Sequence, residues 1–245
     1  MHYSVDLNCD MGEGMSNDAL LMPLISSANI ACGYHAGDEQ TMQQTIELAL
    51  QHRVKIGAHP SFPDRENFGR TNLNFPAPSV TEMVKKQIEL LAGIAQNNNA
   101  RLHHVKPHGA LYNMASRDKE LSEAICTAIL ETDPSLVVYA QSGSMLIAVA
   151  ESLGLKTCSE VFADRAYQPD GFLIPRTAPN ALIHKEEEAI AQVLQMVIQQ
   201  TVTAEGKAIP VKAETICVHG DGAHALEFAR GISEAFRSNN ISIRS

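Results

Sequence analysis

Short apolar runs alternate along this chain with longer segments of helical period. Seven runs have the length and composition of buried strands, at residues 5–7, 28–31, 55–58, 102–105, 136–140, 157–161 and 215–218. Between them, apolar side chains recur every three or four positions, as at Val84, Ile88, Leu91 and Ala95. This alternation predicts an α/β protein with a parallel sheet.

Two further helices are indicated by the same period, at positions 190, 193, 194 and 197 and at positions 226, 229, 232 and 236. Ser79 followed by Glu82 has the spacing of a capping box and predicts a helix beginning there. Asp38 precedes another helical segment and is a candidate N-cap. Asp10 and Glu13 could serve in the same way for a helix over residues 17–26.

The strands and helices favour one (β/α) barrel over residues 1–245 rather than an open doubly wound sheet. The sequence has seven or eight βα units and no linker or low-complexity stretch. A dinucleotide fold would carry GxGxxG after an early strand, and here the first strand is followed only by Gly12-Glu13-Gly14. The GxxxxGK[ST] phosphate loop is absent as well. Two long loops, 60–79 and 162–182, are of a length that is often functional.

Polar clusters follow six of the predicted strands. They occupy residues 6–13, 29–38, 57–61, 105–112, 160–165 and 219–222. In a parallel barrel all six lie at the carboxyl ends of the strands, where such enzymes build their active sites. The set predicts an active site whose candidate catalytic residues are Asp10, His35, His59, Lys106, His108, Asp164, Arg165 and Asp221.

The residue types in these clusters suit acid–base chemistry on an anionic substrate. Carboxylate–imidazole pairs transfer protons, and Lys106 and Arg165 could hold a carboxylate, a phosphoryl group or an oxyanion. Asp10, His35 and His59 could also bind a divalent metal, although no HxxxH or HExxH spacing supports it.

Cysteines and the remaining histidines fit other roles better. Cys9 and Cys32 could be nucleophiles, but the simpler interpretation is that they are small side chains buried in the core. His103 and His104 lie inside the fourth strand, so one of them should face the core, and neither is assigned a catalytic role.

The composition argues against several classes of binding partner. The formal net charge is −9 and basic residues are not clustered, which argues against nucleic acid. We see no signal peptide and no apolar stretch long enough to cross a membrane. Five scattered cysteines without a CxxC pair fit a reducing compartment, so a cytoplasmic protein is expected.

Taken together, the motifs closely resemble the LamB/YcsF family. The resemblance lies in DLNCDMGE at 6–13, ANIACGYHAGD at 28–38, GAHPSFPDRENFGR at 57–70, VKPHGALYN at 105–113, and residues 160–176 and 218–222. It departs modestly at Tyr34, where phenylalanine is the commoner neighbour of the histidine. The resemblance implies an irregular TIM-like barrel of the glycoside hydrolase/deacetylase type.

The same resemblance implies an enzyme that opens the lactam ring of 5-oxoproline to L-glutamate, coupled to hydrolysis of ATP with Mg²⁺, as the A subunit beside subunits B and C. In that chemistry Lys106 and Arg165 would hold anions, and His59 or His108 would be the general base. Asp10, Asp164 and Asp221 would orient imidazoles or bind Mg²⁺. Two alternatives stay open: a metal-dependent amidase or deacetylase acting alone, and a non-catalytic subunit that presents substrate.

Overall fold

A closed parallel barrel forms the centre of the described part of the chain. The computed structural model describes residues 2–218 and 225–244. The barrel strands are β1 (Tyr3–Met11), β2 (Ser27–Ala31), β3 (Lys55–His59), β4 (His104–Val105), β5 (Val137–Gln141), β6 (Thr157–Phe162) and β9 (Thr215–Val218). Each pairs in parallel with the next, and β9 pairs with both β6 and β1, which closes the ring. All seven predicted strands and the predicted barrel are confirmed.

Helices cover the outside of the barrel and bury the apolar face of each strand. They are α1 (Asp18–Leu21), α2 (Glu39–His52), α3 (Ala77–Asn97), α4 (Gly109–Ala115), α5 (Lys119–Thr132), α6 (Met145–Ser152), α7 (Glu186–Gln199) and α8 (Ala225–Ser238). The side chain of Asp38 accepts a hydrogen bond from the backbone N–H of Thr41 at 2.8 Å, so the predicted N-cap of α2 is confirmed. Among the described helices, none combines the length and the apolar character needed to cross a bilayer.

Two predicted helix boundaries are wrong, in both cases because of proline. Helix α3 begins at Ala77, ahead of the predicted capping box, with Pro78 in its first turn, where the missing backbone N–H is not needed. The helix expected over 17–26 is only α1, followed by a 3₁₀ turn at Met22–Leu24 that contains Pro23.

Three short strands lie outside the predicted set. β7 (Thr201–Ala204) and β8 (Lys207–Pro210) form an antiparallel hairpin beside the barrel. β10 (Ile241–Ile243) pairs with the first residues of β1, ahead of the point where β9 takes over. Segments of three or four residues carry too little periodicity to be recognised from sequence alone.

The interior of the barrel is polar rather than aliphatic. Along β1, Val5, Leu7, Cys9 and Met11 alternate with Asp6, Asn8 and Asp10, and successive side chains of a strand point to opposite faces. The polar set faces inward: Asn8 donates to Glu160 of β6 at 2.9 Å and to Thr215 of the adjacent β9 at 2.7 Å. A TIM barrel is usually filled by Val, Ile and Leu, so this interior is built for hydrogen bonding.

Gly57 shows how tightly the interior is packed. A Cβ added there would lie 2.1 Å from Nε2 of His104. His104 fills the space: its ring stacks on Tyr139 with centroids 4.0 Å apart, and Nε2 lies 2.8 Å from Oδ1 of Asn29. As predicted, one histidine of the 103–104 pair faces the core, since His104 is buried and His103 is half-buried.

Candidate active site

A cavity of about 920 Å³ opens at the carboxyl ends of the barrel strands. Its floor includes Asp10, His59, Lys106 and His108, which lie at or just beyond the carboxyl ends of β1, β3 and β4. The two long loops form its walls, contributing Arg70 to Asn72 on one side and residues 172–177 on the other. The strand-end position predicted from sequence therefore coincides with a real concavity.

Lys106 lies at the centre of a buried polar network. Its Nζ is 2.9 Å from Oδ1 of Asp10, 2.8 Å from Oε1 of Glu160 and 3.1 Å from Sγ of Cys217. Burial alone would lower the pKa of Lys106, but the flanking carboxylates outweigh it and hold that pKa well above its usual value. Lys106 is therefore a charged ammonium with two protein carboxylates beside it. Tyr112 completes the network by donating to Oε2 of Glu160 at 2.6 Å.

Beside this network, three histidines and one glutamate converge. Glu13, His35, His59 and His108 each place one donor atom so that all four atoms lie within 4.8 Å of one another. His35 and His108 stack with ring centroids 3.8 Å apart, and His59 meets both rings edge-on. All four side chains are buried.

Each of the three rings uses its other nitrogen to bond a neighbouring protein oxygen. Nδ1 of His59 lies 2.7 Å from the carbonyl oxygen of Lys106, and Nε2 of His108 lies 2.8 Å from that of Phe68. Nδ1 of His35 lies 2.9 Å from Oγ of Ser61, which itself donates to the Phe62 carbonyl. These bonds fix the ring orientations and leave the remaining nitrogens pointing at one another.

Burial favours the neutral form of His35 and His108. It lowers the pKa of His35 to about 2, with His59 adding to the shift. Burial likewise lowers the pKa of His108 well below its usual value, again reinforced by His59. A neutral imidazole offers a lone pair, so this cluster can bind a metal ion.

Cationic side chains line the cavity above the cluster. Asp10 is the only carboxylate among the described lining residues, against five cations: Arg70, Lys106, Arg117, Arg165 and Arg176. Two of these cations are ion-paired, Lys106 with Asp10 and Glu160, and Arg117 with Asp170 at 2.6 Å. Arg165 is buried and donates to the carbonyl oxygens of Ile174 at 2.6 Å and Ala181 at 3.3 Å, which are neutral acceptors. Burial, and then the nearby Arg176, lower the pKa of Arg165, so an anion between these guanidiniums would be favourable.

The structure brings together most of the residues predicted from sequence. Asp10, His35, His59, Lys106 and His108 share one region, and Arg165 lines the same cavity. Asp164 is half-buried and is not among the described residues lining the cavity. Asp221 lies outside the described residues, so its predicted place in the site stays a prediction.

Glu13 is the main residue that sequence reasoning misplaced. It and Asp10 were alternatives for capping the following helix, but α1 begins after Asn17 without a side-chain cap, and both carboxylates point into the site. From sequence, Asp10, His35 and His59 could bind a divalent metal. In the structure, the donor atoms that converge belong to Glu13, His35, His59 and His108, so Glu13 and His108 take the place of Asp10. Arg70, Tyr112 and Arg176 were missed too, although all three lie within the recognised motifs.

Cys9 and Cys32 have the properties of buried packing residues. Both are almost fully inaccessible, and burial raises the pKa of the Cys32 thiol to about 12. Burial raises the pKa of the Cys9 thiol well above its usual value as well. Thiols in this state are poor nucleophiles.

Comparison with known proteins agrees with the fold and the motifs. The chain is similar to a lactam utilization protein from Thermus thermophilus, with 38% identity, 98% and 99% of the two chains covered and a TM-score of 0.93. It shares its fold with a putative cellobiose-phosphate cleavage protein from Enterococcus faecalis, at 13% identity over 100% and 98% of the chains and a TM-score of 0.57. It also shares its fold with peptidoglycan deacetylase PdaC from Bacillus subtilis, at 10% identity over 99% and 87% of the chains and a TM-score of 0.51.

The family model for LamB/YcsF matches residues 5–245, which includes every strand-end segment that builds the site. On that match, the chain belongs to the LamB/YcsF family.

Proposed function

We propose that this protein opens the lactam ring of 5-oxoproline to give L-glutamate, coupled to hydrolysis of ATP to ADP and phosphate, as the A subunit of an enzyme with subunits B and C. Family membership and the 38% identical lactam utilization protein support a lactam substrate. The observation that carries the proposal is the cationic cavity directly above a buried acid–base cluster, in a chain whose net charge is −9.

Such a cavity suits the substrates of this reaction, which are both anionic. 5-Oxoproline carries one carboxylate and ATP carries a chain of phosphates. Arg165 and Arg176 are assigned to the substrate carboxylate, because planar guanidinium groups bind carboxylates with two parallel hydrogen bonds. Mg²⁺ bound to phosphates needs only one or two protein carboxylates, and Asp10, the ion-pair partner of Lys106, lines the cavity.

The ring opening needs an activated carbonyl and a base for water. A lactam is a poor electrophile, so phosphorylation of its carbonyl oxygen by ATP makes the carbon open to attack. Two water molecules are consumed, one in breaking the C–N bond and one in releasing phosphate. Lys106 would stabilise negative charge on the oxygen, and the proton acceptors at the cavity floor are Asp10, His59 and His108.

Glutamate release from 5-oxoproline tests the reaction directly. The chain is assayed alone and with its B and C partners, each with and without ATP. We expect glutamate and phosphate to form together, and only with ATP and all three subunits present. Turnover by the chain alone without ATP would instead favour an amidase or deacetylase. No glutamate under any condition would overturn the proposal.

Arginine variants test the assigned anion site. Arg176→Met and Arg165→Lys should raise KM for 5-oxoproline by about 10- to 100-fold, since a hydrogen bond to a charged group contributes about 1.5–3 kcal/mol. Arg237→Met on the exposed surface of α8 is the matched control and should leave KM unchanged. Equal KM values for all variants would remove these arginines from the site.

A further inference from the structure

We propose that Glu13, His35, His59 and His108 form a binding site for one divalent transition-metal ion of the Zn²⁺ type. This inference stands on the geometry of the four side chains and does not depend on the lactam reaction. It is also distinct from the Mg²⁺ that would accompany ATP, because imidazole-rich ligand sets suit Zn²⁺, Co²⁺ or Ni²⁺, whereas Mg²⁺ prefers oxygen ligands and water.

His59 and His108 face each other with nitrogens that both lack a proton. Each ring has one nitrogen against a backbone carbonyl, which can only accept, so that nitrogen must carry the proton. In the neutral rings the other two nitrogens, Nε2 of His59 and Nδ1 of His108, are then both lone pairs, and they face each other at 2.9 Å. Two lone pairs at that distance repel unless a positive charge lies between or beside them.

His35 and Glu13 likewise face each other with two acceptor atoms. The Ser61 hydroxyl gives its hydrogen to the Phe62 carbonyl and so accepts from Nδ1 of His35. Nε2 of His35 is therefore a lone pair, and it lies 3.1 Å from Oε1 of Glu13. A neutral imidazole lone pair against a carboxylate oxygen again lacks a positive charge, which a metal ion would supply to all four atoms at once.

The spacing of the four atoms fits an ion of this size. Bonds of about 2.0–2.1 Å place neighbouring ligand atoms about 2.9–3.4 Å apart, in octahedral and tetrahedral arrangements respectively. The atoms are separated by 2.9 Å for His59–His108, 3.1 Å for His35–Glu13, 3.5 Å for His108–Glu13 and 3.9 Å for His59–Glu13. These four separations lie within that range or up to about 0.5 Å above it, and all the remaining pairs lie within 4.8 Å.

The surroundings of the cluster match those of known metal ligands. Metal-bound histidines almost always donate their other N–H to a carbonyl, carboxylate or hydroxyl, which sets the tautomer, and all three rings here do so. Gly69 leaves room for the stacked rings, since a Cβ there would lie 2.9 Å from both His35 and His108.

A metal ion bound at this site would leave fewer residues that can accept a proton in the proposed reaction. The lone pairs of His59 and His108 would then bind the ion instead of a proton. Asp10, whose Oδ2 lies 3.4 Å from Nε2 of His59, would be the remaining proton acceptor on the cavity floor. The ion would polarise water or the lactam oxygen beside it.

Metal binding is measured on the full chain after removal of metal with a chelator. Zn²⁺ is added, the protein is desalted, and bound metal is quantified by elemental analysis. Co²⁺ is added separately and followed by its visible absorption. We expect one equivalent of Zn²⁺ and a Co²⁺ spectrum in the wild type and in His52→Gln, a matched control at an exposed histidine of α2.

Ligand variants complete the test. Glu13→Gln, which keeps the side-chain shape, and His59→Gln should each weaken Zn²⁺ binding by at least about 100-fold, more than the loss seen when only an outer partner of a ligand is removed. Zn²⁺ should raise the melting temperature of the wild type but not that of Glu13→Gln, which also reports on folding. Well under one equivalent in the wild type, or unchanged affinity in folded Glu13→Gln, would overturn the site.

Discussion

At the scale of single residues, the centre of the barrel contains buried charged side chains. Lys106 is only 3% exposed and lies between two carboxylates that are 8% and 0% exposed. From sequence, Lys106 was expected to meet an anion of the ligand. The structure shows that Asp10 and Glu160 already flank it, so its charge also holds the site together.

Lys106→Met should therefore destabilise the protein strongly. Removing one partner of a buried ion pair leaves uncompensated charge and costs about 3–5 kcal/mol. Lys86→Met is the matched control: it breaks an exposed pair with Glu82 at 3.2 Å, and such pairs contribute below about 1 kcal/mol. Urea unfolding followed by circular dichroism compares the two, and equal losses would contradict the assignment of Lys106 to a structural ion-pair network.

At the scale of elements, each strand alternates between an apolar face toward the helices and a polar face toward the barrel axis. That alternation is visible in the sequence of β1, yet periodicity alone does not say which face is inside. The polar face is inside because its side chains bond to one another there. Asn29 donates to Asn8 and Asp10 on the neighbouring strand at 2.8 Å each, and Asn8 donates to Glu160 on β6. Buried polar groups are stable only when paired in this way.

Strand β3 gives a test of this packing, because Gly57 makes room for His104. Gly57→Ala should cost about 1–3 kcal/mol, since the new methyl group would displace the imidazole and break its bond to Asn29. Gly93→Ala is the control. It lies within α3 with open space around it, and should be stabilising by about 0.5–1 kcal/mol. Thermal unfolding measures both, and a neutral Gly57→Ala would contradict the packing.

At the scale of the whole molecule, closure of the barrel ties distant segments into one site. Strand β1 pairs with three strands, β2, β9 and β10, and so connects the first and last parts of the described chain. The β7–β8 hairpin forms a separate sheet, and β7 bonds to Gln195 of α7. A two-stranded sheet is marginally stable by itself, so its outer strand should open more readily than the barrel.

Amide hydrogen exchange should reveal this hierarchy. Peptides from β2, which is buried throughout, should exchange at least about 100-fold more slowly than peptides covering the largely exposed β8, because local opening needs far less free energy than opening the barrel. Mass spectrometry of exchanged peptides measures both. Comparable rates would mean that the hairpin and the barrel unfold as one unit.

The sequence by itself determined the strands, the longer helices and the end of the barrel at which polar residues gather. Those features depend on local periodicity and on the rule that parallel strands end on one face. Local periodicity could not predict the short strands or the helix ends shifted by proline, because the signal there is weak or is overridden. Resemblance to a family, rather than spacing, supplied the substrate.

Only the tertiary structure decided which polar residues meet. Glu13 and His35 are 22 positions apart, and His59 and His108 are 49 apart, so their contacts exist only once the barrel closes. The partners that orient each imidazole are backbone carbonyls and a hydroxyl, which no residue pattern marks. For that reason the sequence could place the histidines at one face, while their facing lone pairs became visible only in three dimensions.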